Sequence, residues 1–205
     1  MNILRRQPPA SLTLTALSGI PLLNPGDNLV LIILQSLKQS NLSLENGDIL
    51  VIAQKVVSKA EGRYARLADI IPSERAFKLA EITGKDPRLV ELILSESREI
   101  VRHSKRTIQS SGVVVAENRQ GIVLANAGID SSNVGSESED EKVLLLPIDP
   151  DKSAGNINKE LQLKFKVRLA VIINDSLGRA WRNGTTGTAL GVSGIPALLD
   201  LRGRP

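Results

Sequence analysis

Two aspartates that follow apolar runs of the sequence are candidates for binding a metal ion. Asp130 ends the motif NAGID at 126–130, and Asp175 is followed directly by Ser176. Apolar runs of this kind predict buried strands, whose ends present ligand-binding groups. Mg²⁺ and Mn²⁺ prefer carboxylate and hydroxyl oxygens, so Asp130, Asp175 and Ser176 form a candidate metal site. Turn formation or helix capping by these aspartates is the alternative interpretation.

Basic side chains in two places could bind phosphate or carboxylate groups. Lys55 and Lys59 are four residues apart after a predicted strand, and Arg179 and Arg182 lie in the glycine-flanked segment 178–184. Lysine provides a point charge for phosphate, whereas arginine can clamp an anion with two hydrogen bonds. Ordinary solvent-exposed cations are the alternative for each residue taken alone. Aspartates for a metal and cations for phosphate together favour phosphoryl transfer, in which the protein mainly positions groups and offsets charge.

The composition excludes several other classes of chemistry. The chain has no cysteine among its 205 residues, which rules out disulfides, thiolate catalysis, iron-sulfur clusters and cysteine-based zinc sites. His103 is the only histidine, so a multi-histidine metal centre is excluded as well. Aromatic residues make up 2% of the chain and the net charge is +4, so a nucleic-acid role is disfavoured. Small-molecule chemistry remains the best interpretation.

Turn signals and apolar periodicity predict the elements of the first half of the chain. We expect a strand at 11–17, a helix from Asp27 as N-cap to about Lys38, a short buried strand at 49–53, a helix capped by Ser73 that ends at Gly84, and a helical pattern from Asp86-Pro87 to about His103. The last pattern carries an apolar stripe from Leu89 to Ile100, which indicates a scaffold helix, and it places His103 at a helix end.

The second half contains three apolar runs that each end in acidic residues. The runs cover 121–125, 143–146 and 169–173, and the acidic segment 135–142 between the first two predicts a solvent-exposed loop. The glycine-rich segment 184–194 is similar in composition to a phosphate-binding loop, but it has neither the Walker nor the dinucleotide spacing. No apolar run is long enough for a signal peptide or a membrane span, so we expect a cytoplasmic protein.

Six motifs in a fixed order make the sequence specific. Four are VVSKAEGR at 56–63, ANAGIDSSN at 125–133, LLLPIDPDKSA at 144–154 and INDSLGRAWRNG at 173–184. The other two are SGIPLLNPGDNL at 18–29 and ENGDILV at 45–51. In all six the sequence resembles the coenzyme F420-0:L-glutamate ligase family. The resemblance extends over nearly the whole chain.

The resemblance implies a GTP-dependent amide ligase that adds L-glutamate to the lactyl-phosphate carboxylate of F420-0, with further γ-linked glutamates in many members. It also implies two divalent cations, Mg²⁺ or Mn²⁺, and a monovalent cation such as K⁺ as a further candidate cofactor. The implied metal ligands are Asp130, Asp175 and Ser176. The implied nucleotide contacts are Ile20, Pro21, Leu22, Leu23, Gln54, Lys55, Lys59 and Asn133. By the same resemblance, Asp149, Asp151, Arg179 and Arg182 are assigned to catalysis at the acceptor or phosphate. Ser153 lies in the same motif as the two aspartates.

The implied fold is α+β, with two subdomains, mixed sheets and an intertwined homodimer, in a single domain over 1–205. We expect this domain to lack the C-terminal segment of the family, which carries a glycine-containing nucleotide segment and a further metal ligand, and to lack the nitroreductase-like domain of some members. Three departures are mild: Asp175-Ser176 stands where Asp-Thr is common, Gln54 replaces a small hydroxyl residue, and Asn28 replaces an aspartate. Two alternatives stay open. One is a non-catalytic nucleotide- or deazaflavin-binding protein, and the other is an amide ligase for another carboxylate acceptor.

Overall fold

A computed structural model describes residues 11–131, 141–178 and 183–203, which contain five α-helices and eight β-strands. The helices are α1 Leu29–Gln39, α2 Gln54–Ala60, α3 Glu74–Thr83, α4 Pro87–Ser95 and α5 Pro150–Phe165. The strands are β1 Ile49–Ala53, β2 Tyr64–Arg66, β3 Ser97–His103, β4 Val114–Asn118, β5 Val123–Ala125, β6 Lys142–Leu144, β7 Ala170–Gly178 and β8 Thr185–Ser193.

The strands form three small sheets, one mixed and two antiparallel. In the mixed sheet, β7 lies between β1, which is parallel to it, and β8, which is antiparallel. Strands β2 and β6 form an antiparallel pair, and β3, β4 and β5 form an antiparallel sheet in that order. The predicted α+β class with mixed sheets is therefore confirmed. The two-subdomain organisation and the homodimer stay predictions.

Two large hydrophobic clusters and one small one hold these elements together. The first packs α1 and α5 against the mixed sheet through Val30, Leu161 and Ile173. The second packs α3 and α4 against the β3-β4-β5 sheet through residues such as Val90 and Ile93. The small cluster contains Leu124 of β5, Leu146 after β6 and Leu177 of β7. It thus brings together three chain segments that each lie within a few residues of a predicted functional aspartate.

Capping side chains account for where most helices begin. Asn28, not Asp27, is the N-cap of α1, and its side chain accepts a hydrogen bond from the Leu31 N–H. Asp27 instead closes the preceding turn by accepting from the Asn24 N–H at 2.7 Å. The predicted caps Ser73 and Asp86 are confirmed at α3 and α4. The end of α3 at Gly84 is also confirmed, with φ of 65°, a left-handed conformation that glycine adopts without strain.

Two further sequence-based predictions of secondary structure are wrong. The segment 11–17 alternates as a strand would, but the structure assigns it no strand. Alternation gives a strand only when a neighbour supplies hydrogen bonds, and no described strand pairs with this segment. The expected long helix ends at Ser95, and residues 97–103 form β3 against β4, so His103 ends a strand rather than a helix. The glycine-rich segment 184–194, which only in composition is similar to a phosphate-binding loop, is mostly β8.

No helix in residues 11–131, 141–178 or 183–203 is long and apolar enough to span a membrane.

Candidate functional site

Lys55, which directly precedes the motif at 56–63, and Asp130 of the motif at 125–133 form an ion pair at the centre of the candidate site. The Nζ atom of Lys55 lies 2.5 Å from Oδ2 of Asp130, and both side chains are partly exposed, at 38% and 27%. Lys55 is in the first turn of α2, which continues directly from β1. Asp130 follows β5 by a short turn. The structure therefore brings together a predicted nucleotide contact and a predicted metal ligand.

The backbone around Asp130 is held on both sides. Its N–H donates to the Leu144 carbonyl and its own carbonyl accepts from the Leu144 N–H, which attaches Asp130 to the end of β6. Before it, Asn126, Ala127 and Gly128 all have positive φ, at 51°, 54° and 80°. A run of left-handed residues that includes alanine is strained, and such strain persists only where the surroundings impose it. The position of the Asp130 carboxylate is thus determined by backbone pairing and a tight turn.

Asp175 completes a cluster of three charged side chains. It lies in β7, not after it, and pairs in register with Thr188 of β8. Burial is the main cause that raises the pKa of its carboxyl group; a hydrogen bond from the Ser176 N–H opposes this rise, the nearby negative charge of Asp130 adds to it, and Lys55 opposes it weakly. Because Asp130 and Lys55 both act on Asp175 through space, the three charged groups share one site.

The side chains of Ser176 and Asp175 point to opposite faces of β7. Successive side chains of a strand point to opposite faces, and Ser176 is exposed whereas Leu177 is buried. The contact between Ser176 and Asp175 is the backbone N–H, which donates to Oδ1 at 2.8 Å. The metal-ligand role predicted for the Ser176 hydroxyl stays a prediction.

Helix α2 presents the other predicted nucleotide contacts near this cluster. Gln54 is 3% exposed and donates from Nε2 to the Ser58 hydroxyl at 2.7 Å, so its side chain is held inside the protein. Lys55 and Lys59 are partly exposed, and residues four apart in a helix lie on one face. In α2 the side-chain amide of Gln54 is therefore directed into the protein, and the ammonium groups of Lys55 and Lys59 lie along one side of the helix.

Ile20 of the predicted segment Ile20–Leu23 and the turn that follows this segment lie close to α2. The Gly26 N–H donates to the carbonyl of Ala60, the last residue of α2, at 2.8 Å. Ile20 also lines a cavity of about 550 Å³ whose walls include Ala53 and Val56, the residues on either side of Gln54 and Lys55. Leu22 is 90% exposed, so its side chain is not part of the core. Pro21 is exposed and Leu23 is partly exposed.

Asp149 and Asp151 both have structural hydrogen bonds at the start of α5. Asp149 caps the helix and accepts from the Lys152 N–H at 2.9 Å, and Asp151 accepts from the Val192 N–H of β8 at 2.8 Å. Asp151 therefore contacts β8 at Val192, four residues after Thr188, which pairs with Asp175. Four residues correspond to roughly 13 Å along a strand. Ser153 donates to Glu61 and to the Asp149 carbonyl. The catalytic role assigned to the two aspartates stays a prediction.

Two side chains that sequence reasoning did not assign hold the loop that leads to Asp149. Arg63 donates from Nε to the Leu146 carbonyl at 2.8 Å and pairs with Glu96 at 3.4 Å. Gln120 donates from Nε2 to the Pro147 carbonyl at 2.5 Å. Arg63 ends the motif VVSKAEGR, so that motif was the available signal for it. Gln120 lies in none of the six motifs, and nothing in the sequence pointed to it.

Three predicted site residues, Asn133, Arg179 and Arg182, lie outside the described residues. The described part of the chain contains no group of three or more histidine, cysteine or acidic side chains arranged for a metal ion. Two carboxylates, those of Asp130 and Asp175, are nevertheless close enough to influence each other, and one already holds a cation in the Lys55 ammonium. Such hard oxygen donors fit Mg²⁺ or Mn²⁺. The residues present therefore fit a divalent cation.

Comparison with known proteins agrees with the motifs that build this site. The family model described as F420-0:gamma-glutamyl ligase matches residues 19–205. The chain is 44% identical over 192 residues to the coenzyme F420:L-glutamate ligase of Methanothermobacter thermautotrophicus, covering 94% of this chain and 72% of the relative. It is 45% identical over 179 residues to the protein of the same name from Methanopyrus kandleri, covering 87% of this chain and 65% of the relative.

A third protein of that name, from Methanocaldococcus jannaschii, is 44% identical over 160 residues, covering 78% of this chain and 60% of the relative. The chain thus spans about 60% to 72% of the lengths of these three relatives. The residues matched by the family model include Lys55 and Asp130 of the ion pair, the partly buried Asp175, and the cavity-lining residues from Ile20 onward. On this evidence the chain belongs to the F420-0:gamma-glutamyl ligase family.

Proposed function

We propose that this protein ligates L-glutamate to coenzyme F420-0 with GTP as the energy source. The observation that carries the proposal is the family match over residues 19–205 together with the meeting of Lys55 with Asp130 and Asp175, which come from two separate motifs. Cations beside carboxylates are the groups that phosphoryl transfer requires, because the protein must position anionic substrates and offset their charge.

The proposed reaction has two steps. An oxygen of the acceptor carboxylate attacks the γ-phosphorus of GTP, the bond to the β-phosphate oxygen breaks, and GDP leaves with an acyl phosphate formed. The amino group of glutamate then attacks the acyl carbon, an amide forms, and inorganic phosphate leaves with the bonding electrons while the amine loses a proton. Divalent cations, when bound, supply charge neutralisation for the transferring phosphoryl group.

The residues of this chain have separate tasks in that reaction. Asp130 and Asp175 would hold the divalent cations, while Lys55 and Lys59 on one side of α2 would receive the nucleotide phosphates. Gln54 and the segment Ile20–Leu23 would contact the rest of the nucleotide. The assignments of Ser176 to the metal, of Asn133 to the nucleotide and of Asp149, Asp151, Arg179 and Arg182 to acceptor and phosphate belong to the same proposal.

We also propose that the protein acts as a homodimer in the cytoplasm. Large apolar side chains are exposed along the N-terminal segment and on β1, with Leu14 at 87%, Leu22 at 90% and Val51 at 58%. Strand β1 has a partner on only one side in the described part of the chain, which leaves an apolar edge that a second copy could cover. Sedimentation equilibrium that gives the monomer mass at micromolar concentration would contradict this part of the proposal.

The experiment that tests the proposed activity is mass spectrometry of F420-0 after incubation with the protein, GTP, L-glutamate, Mn²⁺ and K⁺. We expect new species heavier by one glutamate residue or more, and GDP in equal amounts. Reactions without the metal, without K⁺ and with the Methanothermobacter relative serve as controls. GTP binding without any product would favour a non-catalytic binding protein, and GDP release only with another carboxylate would favour a different acceptor.

A further inference from the structure

The position of Lys55 raises a question about how a metal ion reaches Asp130. The ammonium is 2.5 Å from Oδ2 of the same carboxylate that the proposed function assigns to the metal. Mg²⁺ binds carboxylate oxygens at about 2.0–2.1 Å. An ammonium and a divalent cation that bind the same carboxylate at these distances would lie close together and repel each other strongly. Lys55 in this position therefore competes with the metal for Asp130.

The chain allows Lys55 to leave that position. Its side chain is 38% exposed, and a lysine carries its charge on a flexible four-carbon stem with three rotatable donors. Lys59 lies on the same side of α2 one turn further along, so the two ammonium groups can serve the same anion. Moving Lys55 away from Asp130 places its charge beside Lys59, where nucleotide phosphates would be bound.

We propose that Lys55 is a tethered counter-ion that exchanges partners: it neutralises Asp130 in the metal-free protein and transfers to a phosphate group when a divalent cation binds. This inference rests on the proposed function for the identities of metal and nucleotide. It adds that the two ligands are coupled through one side chain. Metal binding releases the ammonium that the nucleotide needs, and by linkage the nucleotide strengthens metal binding by the same factor.

Asp175 explains why a tethered cation is needed at this place. Its carboxyl group is partly buried and accepts a hydrogen bond from the Ser176 N–H at 2.8 Å. Two carboxylates with only solvent to compensate them would oppose folding in the absence of metal. The Lys55 ammonium neutralises the charge of Asp130, so the metal-free site does not hold two neighbouring carboxylates without a cation.

The test compares Lys55→Met with Lys78→Met. Lys78 forms an ion pair with Glu74 at 2.6 Å on α3, so its substitution removes the same charge and breaks a similar contact outside the site. Mn²⁺ binding is followed by the electron paramagnetic resonance signal of free Mn²⁺, with no nucleotide or acceptor present. We expect Lys55→Met to bind Mn²⁺ about tenfold more tightly than the unaltered protein, because the competing charge is gone. Lys78→Met should bind as the unaltered protein does.

The second half of the test predicts the opposite sign for the nucleotide. In saturating Mn²⁺, Lys55→Met should bind GTP more weakly, by about tenfold, since one phosphate contact is lost. Mn²⁺ affinity that is unchanged or lower in Lys55→Met, or GTP affinity that is unchanged, overturns the proposal. Neither measurement requires F420-0 or glutamate, so a failure of ligation and a failure of the exchange are separate results.

A measurement on the unaltered side chain covers the case in which Lys55→Met does not fold. The lysines of the full chain are methylated with ¹³C-formaldehyde, and the Lys55 signal is identified by its absence in Lys55→Arg. Titration with diamagnetic Mg²⁺ should shift the Lys55 signal and leave that of Lys78 in place. A Lys55 signal that does not move while Mg²⁺ binds, or a protein that binds no divalent cation at all, overturns the exchange.

Discussion

The Nζ atom of Lys55 and Oδ2 of Asp130 lie 2.5 Å apart and join the first turn of α2 to the turn that follows β5. Through that contact a predicted nucleotide-binding helix and a predicted metal ligand become parts of one site. Asp175 on β7 feels both charges, with burial as the larger influence on its pKa. Substitutions at these positions should therefore affect ligand binding more than folding.

Asp175→Asn should weaken Mn²⁺-dependent GTP binding while leaving the protein folded. The change keeps the size of the side chain and removes the charge whose burial raises the pKa of this carboxyl group. Loss of even an indirect metal contact typically weakens binding about 10- to 100-fold, so at least tenfold is expected here. Isothermal titration with GTP in Mn²⁺ measures it, with the exposed Asp200→Asn as the control. Unchanged GTP affinity in a folded Asp175→Asn would remove Asp175 from the metal site.

Gly128→Ala should destabilise the turn that precedes Asp130. Gly128 has φ of +80°, and a Cβ atom there would lie 2.6 Å from Cδ1 of Leu146, a buried side chain of the small hydrophobic cluster. Strain and overpacking together should lower the free energy of unfolding by about 2–4 kcal/mol. Gly155→Ala in α5 is the matched control, because nothing lies within 4 Å of its Cβ position.

The control should act in the opposite direction from the test. Alanine in a helix interior is favoured over glycine by about 0.8–1.0 kcal/mol, so Gly155→Ala should be slightly more stable than the unaltered protein. Urea unfolding followed by circular dichroism measures both variants. A Gly128→Ala protein as stable as the unaltered one would show that the turn and Leu146 can move apart at little expense.

Arg63→Met should loosen the loop that leads to Asp149. The substitution removes the donor to the Leu146 carbonyl and leaves Glu96 without this partner at a site where both side chains are mostly buried. An unsatisfied buried polar group typically costs about 1–3 kcal/mol, and we expect a loss of stability in that range. Lysine has no planar set of donors, so Arg63→Lys should recover only part of the stability lost in Arg63→Met.

The control for Arg63 is Arg202→Met, which breaks an exposed ion pair with Asp200. Exposed pairs contribute little, so its urea midpoint should not move. Hydrogen exchange of the amides at 145–149 gives a second readout, since a loosened loop exchanges faster. Slow exchange at 145–149 in a folded Arg63→Met protein would be evidence that Gln120 alone holds the loop.

Asp86 should contribute stability at neutral pH that disappears in acid. A hydrogen bond from the Arg88 side chain is the largest cause that lowers the pKa of Asp86. The backbone N–H of Arg88 also donates to Oδ1 of Asp86, at 2.8 Å. A carboxyl group whose pKa is lower in the folded than in the unfolded state stabilises the fold above the unfolded pKa. That stability is lost as the pH falls through the folded pKa.

Two variants separate the charge of Asp86 from its capping role. Asparagine caps helices as well as aspartate does, whereas alanine loses the cap, which typically costs about 1 kcal/mol. Asp86→Asn should thus be less stable than the unaltered protein at pH 7 with a smaller difference at pH 3, while Asp86→Ala should be less stable at both. Chemical unfolding at the two pH values measures this, and a pH-independent difference for Asp86→Asn would contradict the charge effect.

The sequence alone was enough to predict the elements whose signals are local. The cap at Ser73, the glycine at the end of α3, the Asp86-Pro87 start of α4 and the bounds of the strand 49–53 all depend on neighbouring residues, and all four are confirmed. The predicted burial of that strand is wrong, because β1 is an edge strand in the described part of the chain and leaves Ile49 and Val51 exposed. The family membership also followed from ordered motifs, and the match over residues 19–205 confirms it. Local hydrogen bonds and left-handed backbone positions restrict residue choice at each point, so these features can be read from the chain.

Tertiary structure decided what depends on residues far apart in the chain. Residues 97–103 look helical in isolation but pair with β4, and 11–17 alternate like a strand but have no strand partner among the described residues. The contacts of Lys55 with Asp130, of Arg63 with the Leu146 carbonyl and of Gln120 with the Pro147 carbonyl likewise join separate segments. Strand pairing and ion pairing gain free energy only when the fold brings distant groups within a few ångströms, so no local pattern of residues specifies them.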